Sequence, residues 1–477
     1  MKLVPGESCS DTVTAQVREG ADVVVAGGGT AGVVAAIAAA RTGAKTLLVE
    51  RRHFLGGMMT GGNAGLTIYT VYDKRKPEHD KIIARLATHP ASVQIVGGIP
   101  LEITERLLAS GAAVGTSGTA GSYVLTSQTD FKCLLLDMMA ESGVRLLLHS
   151  AVVDVIKEGD AVQGLAVENK SGRQIVPARI VVDATGDADV AARAGAPFIV
   201  GVGPDDPSAR SGMPLGHAHG MGFMFRMANV DIERLFAHLH DHPEEFVIQP
   251  VALMDIDEAH ANVRNHEAAC FEIKRVGRYH HVYTSPTPGV LTILCRTVTG
   301  CGLDADDLTR GELELTREVR EQVAALRDVP GFERAVLMDM PEIGVRETRH
   351  IQGEYLLTIQ DILERREFPD TIGRGAHPID IGPLPEEFRK APTIDQWYFN
   401  IPYRSLVPRQ VHNLLLAGRC ISATHEASGC IRPTVQCMIT GQAAGTAAAL
   451  CVAADVEPRD LDFHRLRTRL AEDGAVL

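Results

Sequence analysis

Three glycines near the start of the chain have the spacing of a phosphate-binding loop. Gly27, Gly29 and Gly32 form a GxGxxG pattern directly after the apolar run at residues 23–25. The first glycine permits a tight turn, the second lets a pyrophosphate approach the backbone, and the third allows close helix–strand packing. Glu50 stands 21 residues after Gly29, where an acid can accept hydrogen bonds from ribose hydroxyls. The pattern predicts a dinucleotide site with its phosphates at the positive end of a helix.

Three later features favour FAD over NAD as the dinucleotide. A Gly-Gly pair at residues 56–57 follows Glu50 closely, as in many FAD enzymes that place such a pair under the pyrophosphate and flavin. Residues 180–187 read as a strand followed by Ala-Thr-Gly, where the chain returns to an FAD domain. Residues 413–419 are similar to the distal FAD motif and precede a helix of small residues. Together these features predict one cofactor site built from the beginning, middle and end of the chain.

The elements that must hold this site can be read from hydrophobic periodicity. Residues 22–32, 33–41 and 46–49 predict a strand with its glycine turn, a helix and a second strand, which make one βαβ unit. A helix is predicted at 130–142, and a meander of strands follows at 145–149, 152–157, 164–168 and 174–183. Another strand is predicted at 411–416, a small-residue helix at 433–452 and a charged helix at 304–326.

These elements predict an α/β fold with two regions. A Rossmann-like FAD-binding domain would be assembled from the discontinuous segments 1–65, 130–195 and 411–460. A mixed α+β substrate domain, or cap, would comprise 66–129 and 196–410, and a C-terminal helix would lie within 461–477. Residues 111–121 are rich in glycine, but no apolar strand precedes them. We therefore expect a flexible loop there rather than a second nucleotide loop.

On these motifs the chain resembles the FAD-dependent oxidoreductases related in fold to the fumarate reductase and glutathione reductase flavoproteins. The resemblance covers most of the chain and extends to segments 343–349, 378–380, 401–408 and 417–427. Together with the motifs above, it implies a set of cofactor-binding residues: Gly27, Gly29, Thr30, Ala31, Gly32, Glu50, Arg51, Gly56, Gly57, Met58, Val152, Ala184, Thr185, Gly186, Gly418, Arg419 and Arg432.

Individual roles follow from the same resemblance. Val152 would meet adenine through its backbone, and the helix from Pro433 would point its N-terminus at the flavin pyrimidine edge. Arg419 stands where the wider superfamily carries an acid. Because arginine cannot accept a hydrogen bond, a contact with the pyrophosphate is expected instead. Arg432 could stabilise charge on the reduced flavin, with a structural role as the alternative.

A dense charged group at residues 346–350 is the first candidate for substrate chemistry. If residues 345–351 form a strand, Arg346 and His350 share one face, while Glu347 and Arg349 face the other way. A guanidinium suits a substrate carboxylate. The alternative is an Arg–Glu ion-pair network that holds two domains together.

The other catalytic candidates are His377, His425, Tyr403 and Arg404. His425 lies six residues after Arg419, just before the helix expected to face the flavin, and histidine could move the proton that accompanies a hydride. Each histidine could equally be a packing or solvent-facing residue. His217 and His219 lie in a glycine-rich loop that could act as a lid, and no metal site is predicted there because no carboxylate has suitable spacing.

Bulk composition narrows the class of protein. The 477 residues carry a net charge of 47 − 60 = −13, which argues against a nucleic-acid partner bound through a basic patch. Nine cysteines without a CxxC pair disfavour a zinc site or a cysteine-bound cluster. Residues 1–20 are polar and contain no apolar core of signal-peptide length, and no uninterrupted apolar run reaches the length of a membrane span. We expect a soluble cytoplasmic protein with no membrane partner.

The functional expectation is an FAD-dependent dehydrogenase, oxidase or reductase. It would move a hydride between flavin N5 and a small polar molecule, with a carboxylate as one candidate group. No NAD(P)H domain is evident, so electrons would pass to a separate acceptor or to oxygen. A flavin-dependent monooxygenase and a non-catalytic FAD-binding protein are the alternatives. Gly418-Arg419-Cys420 does not match the hydroxylase motif, a single tryptophan disfavours a halogenase, and no CxxxxC pair supports a disulfide reductase.

Overall fold

The computed structural model describes residues 12–67, 70–72, 92–115, 123–248, 254–275, 278–381, 388 and 398–477. The strands, in chain order, are β1 (Gln16–Val17), β2 (Ala21–Ala26), β3 (Thr46–Val49), β4 (Leu66–Thr67), β5 (Thr70–Tyr72), β6 (Ser92–Gln94), β7 (Ala113–Gly115), β8 (Tyr123–Thr126), β9 (Arg145–Leu147), β10 (Ala151–Glu158), β11 (Ala161–Asn169), β12 (Gly172–Asp183), β13 (Phe198–Val200), β14 (Met224–Ala228), β15 (Phe246–Val247), β16 (Cys270–Arg275), β17 (Arg278–Thr284), β18 (Leu291–Leu294), β19 (Val336–Asp339), β20 (Arg349–Ile351), β21 (Thr371–Gly375), β22 (Phe399–Pro402) and β23 (Leu414–Leu416).

The helices are α1 (Thr30–Arg41), α2 (Gly98–Ala109), α3 (Gln128–Glu141), α4 (Asp189–Ala194), α5 (Pro207–Arg210), α6 (Ile232–Asp241), α7 (Ile256–Arg264), α8 (Ala305–Arg327), α9 (Ile359–Leu363), α10 (His425–Ile431), α11 (Thr434–Ala454) and α12 (Phe463–Glu472).

One mixed sheet joins distant parts of the chain. Its order is β10-β11-β12-β2-β3-β9, and β1 and β23 also pair with β12. The pairs β12–β2, β2–β3, β3–β9 and β12–β23 are parallel, whereas β10, β11 and β12 form an antiparallel meander. The α/β class and the Rossmann-like arrangement predicted from sequence are confirmed.

Two helices of small residues cover the parallel part of this sheet. A Cβ on Gly441 or Gly445 of α11 would stand 2.2 or 2.0 Å from a backbone carbonyl oxygen of α1, so only glycine allows this approach. By length and composition α11 could cross a membrane, but 78% of its apolar window is buried inside the fold. Its apolar character is therefore explained by packing against α1 and the sheet.

A second sheet of six antiparallel strands, β15-β16-β17-β18-β14-β19, forms the cap. The long helix α8 covers it, with Leu315, Val319 and Leu326 buried in the cap's own apolar core. The predicted division of the chain into domain segments stays a prediction.

Two sequence expectations differ from the structure. Within residues 111–121, Ala113–Gly115 is a strand paired with β8, and residues 116–121 lie outside the described part. Residues 345–348 do not continue the strand Arg349–Ile351, because side-chain contacts rather than a ladder hold them. The predicted shared face of Arg346 and His350 is therefore wrong.

Candidate active site

The loop between β2 and α1 is shaped by its glycines. Gly27 has φ +95°, and a Cβ there would lie 2.6 Å from the Ala184 carbonyl oxygen. A Cβ on Gly32 would lie 1.8 Å from the Gly27 carbonyl oxygen, whereas Gly29 faces open space. Helix α1 begins at Thr30, with Gly29 as its N-cap. The loop thus leaves room beside Gly29 and directs the first-turn amides of α1 toward it.

The carboxylate of Glu50 stabilises this loop by hydrogen bonding to its backbone. Its Oε2 accepts the Gly28 N–H at 2.6 Å and its Oε1 accepts the Arg52 N–H at 2.8 Å. The side chain is buried, and it does not line the cavity described next. Each carboxylate oxygen keeps a second lone pair, so the predicted bond to a ribose hydroxyl stays a prediction.

A cavity of about 820 Å³ opens beside the glycine loop and extends into the cap. This is the size range of cofactor and ligand sites. From the FAD motifs it is lined by Gly29, Thr30, Ala31, Arg51, Gly57, Met58, Ala184, Thr185, Gly186, Gly418, Arg419 and Arg432. Thr30 and Thr434, the first residues of α1 and α11, both lie in the wall. Two helix N-termini, a loop open at Gly29 and several guanidinium groups fit a cofactor with a pyrophosphate.

Besides Glu50, four predicted cofactor residues do not line this cavity but build its surroundings. Gly56 donates its N–H to the Gly28 carbonyl oxygen at 2.8 Å and has φ +99°, while Gly27 and Gly32 form the turn. Val152 is paired with Val167 in the meander, and its predicted adenine contact stays a prediction.

The charges around the cavity divide into paired and unpaired groups. Five arginines line it, and three form ion pairs: Arg52 with Glu342, Arg419 with Asp187 and Arg432 with Asp380. Within the described part of the chain, no carboxylate forms an ion pair with Arg51 or Arg346. One guanidinium beside the cofactor loop and one in the cap are therefore available to anions.

Arg419 joins the second and third FAD motifs. It donates to Asp187 Oδ1 at 2.7 Å and to Thr348 Oγ1 at 3.0 Å. Burial opposes its charge, but Asp187 outweighs burial and raises the pKa of Arg419. Its guanidinium also lies against Gly186. The predicted contact between Arg419 and the pyrophosphate stays a prediction. The bonds to Asp187 and Thr348 already fix the position of the guanidinium.

Arg432 and Asp380 form a pair at the far end of the wall. The guanidinium donates to Asp380 Oδ2 and, at 3.1 Å, to the Asp380 backbone oxygen. Burial opposes ionisation of the carboxyl, but Arg432 and His377 lower the pKa of Asp380 to about 2. Both residues lie in the cavity wall, and 56% of the Asp380 side chain is accessible. Because the two charges are opposite and directly paired, the pair adds little net charge to the wall. This ion pair with Asp380 is the kind of contact expected for a structural role, which was one of the two roles considered for Arg432.

Arg346 projects from the cap into the same cavity. Gly222 and Gly344 exchange backbone hydrogen bonds of 3.1 and 2.8 Å, which brings the residue 346 segment close to Gly222. The guanidinium donates to the Gly220 carbonyl oxygen at 3.1 Å. Burial and the nearby Arg432 lower the pKa of Arg346 to about 10, so it stays cationic at neutral pH. Arg346 is therefore a fixed and charged side chain, and its remaining N–H donors are open to the cavity.

His377 also lines the cavity, and it is a candidate for proton transfer. Its Nδ1 lies 2.9 Å from the Pro378 carbonyl oxygen, which fixes the proton on that nitrogen and leaves Nε2 as the basic atom. Burial lowers the pKa of His377, so the ring is neutral at pH 7. Of the predicted histidines, His377 alone lies in the cavity wall.

His425 and His350 are instead captured by a buried carboxylate. Glu347 accepts from His425 Nδ1 at 2.8 Å, from His350 Nε2 at 2.8 Å and from the His219 backbone N–H at 2.8 Å. Neither His425 nor His350 lines the cavity, so their predicted catalytic roles have no geometric support. Burial opposes ionisation, but the bonds from His350 and His425 lower the pKa of Glu347 well below its usual range.

Tyr403 and Arg404 also lie away from the cavity. The Tyr403 hydroxyl donates to the Pro458 carbonyl oxygen at 2.8 Å, and the ring is buried in the core. Arg404 pairs with Asp370 at 2.9 Å and lies over the Tyr355 ring. Both residues support the fold, and the structure does not bring them to the site.

Sequence reasoning missed several site residues. Asp187 follows the Ala-Thr-Gly motif directly and Asp380 lies in a segment of the family resemblance, so both carried a signal that was not assigned. Other apolar cap residues, such as Met224, Leu294 and Leu308, carried none, because they reach the cavity through long-range pairing. No group of three or more metal-binding side chains occurs among the residues that the structure describes. His219 stacks on His425, and burial lowers its pKa to about 4.

The fold and the cavity together define a dinucleotide-binding protein. A family model, FAD dependent oxidoreductase, matches residues 22–470, and the chain belongs to this family. It is an enzyme with FAD as its cofactor, as the sequence predicted.

Individual relatives are more distant. Thiamine thiazole synthase from Methanococcus aeolicus is 30% identical over 179 residues, covering 36% of this chain and 57% of its own length. Digeranylgeranylglycerophospholipid reductase from Picrophilus torridus is 30% identical over 167 residues, covering 35% of this chain and 39% of its own length. The chain thus spans about half the length of the curated relatives that it matches.

Among solved structures, a geranylgeranyl bacteriochlorophyll reductase-like protein from Thermoplasma acidophilum aligns with a TM-score of 0.44 at 14% identity, covering 96% of this chain and 84% of its own. A myxobacterial chondrochloren halogenase aligns with a TM-score of 0.48 at 13% identity, covering 95% and 78%.

Proposed function

We propose that this enzyme transfers a hydride between FAD and a small molecule that carries a carboxylate. One observation carries the proposal: Arg346 lies in the cavity wall, charged and without an ion-pair partner among the described residues. A largely buried cation that makes no direct ion pair is costly, and a bound carboxylate would supply a directly paired charge. Because a guanidinium can bind a carboxylate through two parallel hydrogen bonds, Arg346 would orient the substrate as well as attract it.

The FAD motifs would hold the cofactor in the same cavity. The loop at Gly29 and the first turns of α1 and α11 would supply backbone donors, and Arg51 would supply a cation for the pyrophosphate. When bound, FAD supplies the hydride acceptor or donor at its N5 atom. The protein's own contribution is to place the substrate and to manage a proton.

His377 would manage that proton. Its ring is neutral at pH 7, and its Nε2 is the basic atom because Nδ1 faces the Pro378 carbonyl oxygen. A neutral imidazole can take a proton from a substrate hydroxyl or amine as the hydride leaves the adjacent carbon. In the opposite direction the imidazolium would return the proton. The electrons would then pass to a separate acceptor or to oxygen.

The test is anaerobic reduction of the bound flavin by a panel of 2-hydroxy and 2-amino carboxylates, each compared with its amide. We expect bleaching by acids and little by amides. In Arg346→Gln we expect kcat/KM to fall about 100-fold, the loss of a charge-assisted bond worth ~2.7 kcal/mol. The FAD content should not change, and Arg346→Lys should recover part of the loss. Arg320→Gln, an exposed arginine on α8, is the matched control.

Three outcomes would contradict the proposal. Equal reduction by acids and amides would remove the carboxylate anchor. Bound flavin that is reduced neither by any substrate nor by a chemical donor as strong as dithionite would favour a non-catalytic FAD-binding protein. Product containing an oxygen atom from O₂ would favour a monooxygenase. Oxygen uptake measured beside reduction of an artificial dye distinguishes the two kinds of electron acceptor.

A further inference from the structure

The cap side of the cavity is apolar apart from a few charged groups. Strands β14 and β18 contribute a cross-strand pair, since Met224 lies opposite Leu294. Helix α8 and the segment before Arg346 contribute branched aliphatic side chains, and the cofactor-loop side contributes a methionine. The apolar lining residues around Arg346 are Met58, Met224, Leu294, Leu308, Ile343 and Val345.

Glycines leave space within this lining. Gly222 and Gly344 both line the cavity. A Cβ on Gly222 would lie 3.2 Å from Arg346 Nη1, so glycine leaves the guanidinium open there. A Cβ on Gly344 would lie 2.9 Å from Met58 Cε. The space next to Arg346 is therefore bounded by apolar side chains and backbone, with Tyr283, Glu312, His377 and Asp380 as the polar side chains of the same wall.

The charges at this end of the cavity leave room for a single anion. Arg432 is already paired with Asp380, and His377 is neutral at pH 7. Glu312, on α8, accepts a hydrogen bond from the Ile343 backbone, and burial raises its pKa. The nearby Asp380 favours the charge of Arg346, but Arg346 is the one arginine of the cap wall that forms no direct ion pair among the described residues. One carboxylate would balance it, and a second would meet Asp380 and Glu312 without a cation.

We propose that the substrate of this site is a monocarboxylate with a compact apolar body, bound with its carboxylate on Arg346 and its body against Met224, Leu294 and Ile343. This inference rests on the proposed function and narrows it from a small polar molecule to an amphipathic one. Burial of the apolar body would supply most of the affinity, while Arg346 would set the orientation.

The first experiment measures binding to the wild-type holoenzyme, by titration calorimetry and by perturbation of the flavin absorption bands. The probes are 3-phenylpropionate, propionate, 3-phenylpropionamide and succinate. We expect 3-phenylpropionate to bind at least ~30-fold more tightly than propionate, because a phenyl group buries on the order of 100 Å² of apolar surface. It should also bind more tightly than the amide and succinate.

A second experiment locates the apolar subsite. In Leu294→Gln we expect the affinity for 3-phenylpropionate to fall about 10-fold while that for propionate stays unchanged. Leu313→Gln, an exposed leucine on α8, is the matched control and should change neither. The melting temperature and FAD content of each variant establish that it is folded. If Leu294→Gln does not fold, the probe series on the wild type still decides.

The outcomes separate this inference from the proposed function. Equal affinity for propionate and 3-phenylpropionate would overturn the apolar subsite and leave the carboxylate anchor standing. Tighter binding of succinate would overturn the single-anion assignment, and would indicate a second contact with a cation, such as Arg432. Equal binding of the amide and the acid would overturn both this inference and the proposed function.

Discussion

At the scale of residues, one short segment holds the two halves of the site together. Arg346 points into the cavity, and Glu347 binds the buried histidines. Thr348 donates to Asp187 Oδ1 at 2.9 Å, and Arg349 donates to the Asp187 carbonyl oxygen at 2.7 Å. The substrate anchor is therefore tied directly to the second FAD motif. Displacement of this segment would disturb the cofactor site and the substrate site together.

The Glu347–His425 contact gives a pH-dependent prediction. Burial opposes the charge on His425, but the bonds to Glu347 outweigh it and raise the pKa of the imidazole above 6.5, while the pKa of Glu347 lies below 4.5. The contribution of His425 is complete below pH 6.5 and is lost as the pH rises through its folded pKa. That of Glu347 is complete above pH 4.5 and is lost on acidification. The pair therefore stabilises the fold most between these values.

We expect His425→Gln to lower the free energy of unfolding by about 3 kcal/mol at pH 5.5 and by clearly less at pH 9. Urea unfolding of both proteins at the two pH values measures this. His464→Gln, at a histidine on α12 outside the cluster, is the control and should show no such difference. An equal loss at both pH values would show that His425 contributes packing rather than charge.

Residue-scale prediction from the sequence succeeded where a role depends on local geometry. The residues Gly27, Gly29 and Gly32 occupy the expected turn because their spacing alone defines it. His425 was placed near the flavin from its distance to Arg419 along the chain. That expectation missed Glu347, which lies 78 residues away in the sequence and binds the imidazole of His425. Side chains that are captured by distant partners carry no local signal.

At the scale of elements, the contact between α1 and α11 sets how the cofactor loop is presented. Both helices begin at the cavity wall, and their glycine-mediated approach fixes the relative position of their N-termini. The sequence predicted both helices, because long runs of small and apolar residues, one after a glycine turn and one after Pro433, have a strong helical pattern. It placed the start of α1 at residue 33, whereas the motif itself forms the first turn from Thr30. The last glycine of the phosphate-binding motif, Gly32, therefore already lies within the helix.

Gly445→Ala tests this contact away from the cofactor. A Cβ at residue 445 would stand 2.0 Å from the Ala35 carbonyl oxygen, so the helices must separate. We expect a loss of about 2–3 kcal/mol in the free energy of unfolding, although alanine normally favours a helix. Gly311→Ala on α8 is the matched control, because its Cβ would meet side-chain methyl carbons rather than backbone: Ile343 Cδ1 at 3.0 Å, Met221 Cε at 3.3 Å and Val298 Cγ2 at 3.5 Å. Equal stability of the two variants in urea would contradict the packing argument.

At the scale of the whole molecule, strand pairing explains why three separated motifs form one site. Strand β12 ends at Asp183 between β2 and β23, so the segments after all three strands meet at one edge of the sheet. The cap is fastened beside this edge: Arg52 pairs with Glu342 at 2.6 Å, and Asn63 Nδ2 donates to the Met224 carbonyl oxygen at 2.7 Å. The sequence indicated this assembly because each motif is recognisable alone. The cap sheet was read only as mixed structure, since its antiparallel order depends on pairings between distant strands.

The most direct test of the account is a visible absorption spectrum of the purified protein, taken before and after denaturation, with the released cofactor identified. We predict a flavin spectrum in the native protein and free FAD in the supernatant after denaturation. Colour retained by the denatured chain would still confirm flavin and would add a covalent link. A colourless protein that FAD cannot reconstitute would contradict the central claim, because the cavity beside Gly29 would then hold a different nucleotide.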